Sequence, residues 1–75
     1  MSVSYKKLWI VLAEKEMSRA ELRKKAEIAP NTMTKLGRNE YVAMPILDKI
    51  CKTLGTDYGE IMEYIPENEK SKNSD

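Results

Sequence analysis

Pro30 restricts this chain more than any other residue. Its ring holds φ near about −65°, it has no amide hydrogen to donate, and it pushes Ala29 out of the helical region. Upstream, Ser18 and Glu21 make the S-x-x-E pattern of a capping box, in which the serine oxygen accepts an amide hydrogen of the first turn and the glutamate returns to the serine amide. A helix therefore opens at about Arg19 and must close before Ala29, with Leu22 and Ala26 as its narrow apolar stripe. Glu27, Ile28 and Ala29 are left as a turn. Pro30 then suits the first position of a further helix, where its missing amide would have been unpaired anyway. Two short helices about a three-residue turn have helix-turn-helix spacing.

The rest of the chain reads as helix too, because apolar residues recur at helical spacing and no segment alternates strictly as a half-buried strand does. Ser4 is expected to cap a first helix ending near Glu16, with Tyr5, Leu8, Trp9 and Leu12 on one face and Ile10 and Val11 widening it. In the helix opened by Pro30, Met33 and Leu36 form the buried edge and leave Asn31, Thr32, Thr34 and Lys35 outward. Gly37 and Asn39 tolerate the left-handed turn that leaves it, and a loop follows from Arg38 to Ala43. A fourth helix from Met44 carries Leu47, Ile50, Cys51 and Leu54 and stops at Gly55. Asp57 with Glu60 repeats the capping-box logic and predicts a fifth helix ended by Pro66. The expectation is an all-α domain over residues 1–66. Residues 67–75 have no aliphatic or aromatic side chain to bury and are expected to form a disordered tail.

Composition narrows the function. With 75 residues, 41% hydrophobic and 33% charged, the chain has room for one small domain and no apolar run of the roughly 20 residues a bilayer requires. There is no histidine and one cysteine, so the commonest general base and the usual zinc ligand sets are missing. No nucleophile, base and orienting group can be assembled, no metal or cofactor is called for, and enzyme chemistry is not expected. The net charge of +1 hides an asymmetry. Up to Glu40, nine Lys or Arg less five Glu gives +4; beyond it, four less seven gives −3. The first half is suited to face an acidic partner. A chain this short buries only about 60% of its unfolded surface, which makes self-association a reasonable expectation.

Residues 5 to 65 resemble an Xre-type transcriptional regulator, the Cro and phage-repressor class of helix-turn-helix protein. The carriers are the leading helix with Leu8, Trp9 and Leu12, the SRAEL opening, the IAPNTMTKLGRNE segment and the LDKICKTLGTDYGEIM close. Two positions depart from the pattern: Glu27 stands where the family commonly has glycine, and Arg23 where a small residue often lets the two helices approach.

The resemblance implies a compact five-helix, lambda-repressor-like fold that binds double-stranded DNA in a microbial or phage cytoplasm, with residues 30–36 in the major groove. Pro30, Asn31, Thr32 and Lys35 would lie near base edges, and their chemistry permits it: Asn pairs with adenine, Lys donates to guanine, a threonine methyl touches thymine. Ser18 and Arg19 would hold phosphates at the start of the second helix, and Thr34, Arg38 and Asn39 after the recognition helix. Tyr58, Ile61, Tyr64 and Ile65 either face a second subunit or close the core. A homodimer on an inverted-repeat operator, acting as a repressor, is the function implied. The competing reading is a protein-interaction module, such as an antitoxin or accessory factor, for which the small net charge and the lack of a basic arm speak.

Overall fold

A computed structural model describes residues 2–66. The tail expected over residues 67–75 lies outside the described residues. The elements in chain order are β1 (Val3–Ser4), α1 (Lys6–Glu14), α2 (Arg19–Ala26), α3 (Pro30–Gly37), α4 (Met44–Leu54), a single 3-10 turn (Tyr58–Glu60) and β2 (Glu63–Tyr64). One core joins them. Leu8 and Leu12 of α1, Leu22 and Ala26 of α2, Ile28 of the turn, Leu36 of α3, and Leu47, Ile50 and Leu54 of α4 are buried together with Val3, Tyr5 and Ile61. Cys51 packs against this core as expected, and burial raises its thiol pKa.

The local signals place α2, α3 and α4 as read. Ser18 Oγ accepts the Glu21 amide at 3.1 Å while Glu21 Oε1 accepts the Ser18 amide at 3.0 Å, a complete capping box. Pro30 opens α3 and Gly55 closes α4 in the left-handed region, φ 68°. The start of α1 differs from expectation. No side chain caps α1; Ser4 lies in β1, and its Oγ accepts the Lys6 amide at 3.2 Å. The exit of α3 is as read: of the two residues suited to the left-handed turn, Asn39 takes it at φ 58° and Gly37 stays helical. Ile10, expected to face a neighbour, is about half exposed.

The expected fifth helix is the main correction. Glu60 Oε1 does accept the Asp57 amide at 2.7 Å, but the turn it starts ends after Glu60, and the chain then extends. Glu63 and Tyr64 pair antiparallel with Ser4 and Val3, and the Ile65 amide donates to the Ser2 carbonyl at 2.8 Å. Two causes act together. Pro66 disfavours helix at Ile65, and the unpaired backbone of Val3 and Ser4 offers a ladder that a short helix could not match. The fold is therefore four α-helices and a small two-stranded sheet that ties the two ends of the described chain.

Candidate nucleic-acid interface

The turn between α2 and α3 sets the interface. Glu27 is left-handed, with φ 55° and ψ 54°. This lets the Ile28 amide reach the Arg23 carbonyl at 2.9 Å and the Glu27 amide reach the Lys24 carbonyl at 3.3 Å. Ile28 then drops into the core, Ala29 is extended, and Pro30 starts α3. The left-handed residue that the pattern demands is thus present without glycine.

On α3, Leu36 is fully buried and Met33 packs beside it, so the helix has one anchored edge. Pro30, Asn31, Thr34 and Lys35 are exposed, and Thr32 is half-buried. Asn31 and Lys35, four residues apart, share the outward face. The Thr34 hydroxyl donates to the Pro30 carbonyl at 3.3 Å, which turns it along the helix while its oxygen stays exposed. Thr34 also lines, with Arg19, Ala20, Arg23, Pro30, Met33 and Gly37, a cleft between α2 and α3. Arg23 is half-buried and lines this cleft, a setting that suits a long stem with a solvated charge.

The residues expected to hold phosphates are placed unequally. Ser18 is committed to the capping box, and the same bond from its amide lowers the pKa of Glu21, whose carboxylate stays at the helix start. Arg19 is exposed, its guanidinium 3.8 Å from the centroid of the Trp9 ring. Arg38 stands free in solvent apart from a loose pair with Glu40 at 3.9 Å, a contact of little strength at this exposure. Asn39 serves the fold, because its Oδ1 accepts the Tyr5 amide at 3.0 Å. The Tyr5 hydroxyl in turn donates to the Glu40 carbonyl at 2.8 Å, so the exit of α3 is bolted to the start of α1. Burial raises the Tyr5 pKa, which keeps that hydroxyl protonated as a donor.

A family model described as the Cro/C1-type HTH DNA-binding domain matches residues 7–67. The chain belongs to the Cro/C1-type helix-turn-helix family. Among solved structures it is similar to the one titled crystal structure of transcriptional regulator VanUg, Form II, at 42% sequence identity and a TM-score of 0.85 over 87% of each chain. Curated proteins yielded no match. The resemblance to the Xre, Cro and phage-repressor class is therefore confirmed, and the Cro/C1-type domain accounts for nearly all of the described chain.

In this Cro/C1-type domain two surface features escaped the sequence reading. Tyr41 and Met44 are more than half exposed and flank, with Tyr58 and Tyr64, a groove of about 570 Å³ between the α3–α4 loop, α4 and the terminal sheet. Their apolar character was visible, but their exposure depends on a loop path that no local signal specifies. The four residues expected at a second subunit also separate. Tyr58 and Tyr64 are exposed and Ile65 is half-buried, whereas Ile61 is fully buried and belongs to the core, out of reach of any partner. The Tyr58 hydroxyl is bonded to Asp48, which raises its pKa. Among the described residues there is no group of His, Cys, Asp and Glu that could hold a metal ion, and no helix long and apolar enough to cross a membrane.

Proposed function

We propose that the protein is a sequence-specific transcriptional regulator that reads the major groove with α3 and acts as a repressor. The observation that carries this is the division of α3 into an anchored edge at Leu36 and Met33 and a free face at Asn31, Thr34 and Lys35. A helix so presented, beside a cleft that the exposed Arg19 lines from the start of α2, can place side chains on base edges while neighbours hold phosphates. Asn31 and Lys35 read bases, with Pro30 and Thr32 beside them. Arg19, Thr34 and Arg38 contact phosphates. Ser18 and Asn39 act mainly on the fold, as cap and bolt, and approach the backbone only with the donors left over.

Self-association fits the groove edged by Tyr41, Met44, Tyr58 and Tyr64, because four large apolar or aromatic side chains exposed around one concavity favour being covered. Tyr58, Tyr64 and Ile65 are the proposed contacts of a homodimer, whose two recognition helices would meet an inverted repeat with half-sites about 34 Å apart. The test is selection from a randomised duplex library at two salt concentrations. Enrichment of an inverted repeat, with affinity falling steeply as salt rises, supports the reading. A folded sample that enriches nothing refutes it and leaves the protein-interaction reading.

A further inference from the structure

Trp9 packs against the core but is only half-buried, and its ring carries the guanidinium of Arg19. On another side of that guanidinium lies Gly37, where an added Cβ would stand 3.4 Å from Nη1. One cation thus touches α1 through Trp9, starts α2, and abuts the end of α3. Stacking uses the face of the guanidinium, whereas all five donors lie in its plane, so the contact fixes the group without consuming a hydrogen bond. Among the described residues Arg19 has no carboxylate within ion-pair distance and no side-chain hydrogen bond; the ion pair formed there is Arg38 with Glu40. An arginine that is held in place but left unpaired has already lost rotamer freedom, and it is set to receive an anion from outside at low further entropic cost. Arg23 and Thr34 line the same cleft and extend the track.

We infer that Trp9 is a positioning residue for DNA binding: by stacking on Arg19 it holds the guanidinium beside the α2–α3 cleft with its donors free for one backbone phosphate. This rests on the DNA-binding reading above. Binding of a labelled mixed-sequence duplex across a salt series tests it, using the full chain and the variants Trp9→Ala, Trp9→Leu, Trp9→Phe, Arg19→Ala and the double variant Trp9→Ala with Arg19→Ala. Trp9→Leu keeps apolar bulk under the arginine without an aromatic face, and it covers the case in which Trp9→Ala does not fold.

Loss of the stack is expected to weaken binding about two- to fivefold and to lower the slope of log affinity against log salt by about one, as Arg19→Ala does. The double variant should be no weaker than Arg19→Ala, and Trp9→Phe should restore most of the wild-type slope. A purely structural loss would reduce the folded fraction, measured by circular dichroism, and leave the slope unchanged. If Trp9→Leu keeps the wild-type slope, or if the double variant loses the sum of both effects, the inference is overturned while DNA binding stands. If the wild-type chain binds no duplex at all, both fall together.

Discussion

Replacing Glu27 by glycine should stabilise this protein, although it deletes a charged side chain and adds the most flexible residue. The left-handed conformation at φ 55° and ψ 54° costs an L-residue about 1–2 kcal/mol. Glycine removes that cost but loses about 0.4–1 kcal/mol more backbone entropy on folding. The carboxylate itself is exposed beside Lys25, Lys49 and Lys52, and its loss is worth at most about 0.5 kcal/mol. The net gain for Glu27→Gly is then small, about 0.5 kcal/mol. The sharper comparison is with Glu27→Ala, which loses the same carboxylate but keeps the strain. The glycine variant should exceed the alanine variant by about 0.5–1 kcal/mol, or roughly 2–8 °C in Tm for a domain of this size. Urea unfolding followed by far-ultraviolet circular dichroism measures the difference. Equal stability of the two variants would refute the strain argument, and with it the view that this turn is left-handed at residue 27. Glu16, at φ 54°, should respond in the same direction.

Asn39 offers the opposite outcome under the same geometry: Asn39→Gly relieves φ 58° but leaves the Tyr5 amide without its acceptor, so a net loss of about 1 kcal/mol is expected in the same unfolding assay. Asn31→Ala and Lys35→Ala should leave stability within about 0.5 kcal/mol and relax base preference at one position each by about 1–3 kcal/mol, read by competition among duplexes. In contrast, Arg38→Ala should weaken all duplexes alike and flatten the salt slope. Acid should loosen α2 first. The Glu21 pKa is lowered by the bond from the Ser18 amide, so its contribution is present above the ordinary glutamate range and disappears as pH falls through the lowered value. Amide exchange at the start of α2 should rise over that interval, and Glu21→Gln, which keeps an acceptor for the Ser18 amide but cannot titrate, should abolish the pH dependence.

Much of the interface was legible in the chain because its signals are local. The Ser18–Glu21 box, the helix break before Pro30 and the stop at Gly55 act over three or four residues, where geometry is set by backbone sterics and one hydrogen bond. Asn31, Thr34 and Lys35 are exposed on α3 as the spacing of Met33 and Leu36 predicts, whereas Thr32, expected outward with them, is half-buried. Other features were decided by contacts distant in sequence. The Oδ1 of Asn39 is taken by the Tyr5 amide, far away in sequence, and of the two readings open for Ile61 only the closed core shows which side of the final turn it fills. Trp9 packs against the core, but nothing in its own helix announces its second contact, with Arg19.

By itself the sequence determined where α2, α3 and α4 begin and end and which face of α3 stays free, since capping, proline and apolar periodicity act within one or two turns. Tertiary structure decided the rest. Whether residues after Asp57 continue as helix or turn into a strand depended on Val3 and Ser4 waiting unpaired at the other end of the described chain. Whether Arg19 is mobile or held depended on Trp9 and Gly37 arriving from two other helices. A short segment takes the conformation that satisfies its backbone and buries its apolar side chains against whatever closes over it, and for the ends of the described chain that surface exists only once the four helices have packed.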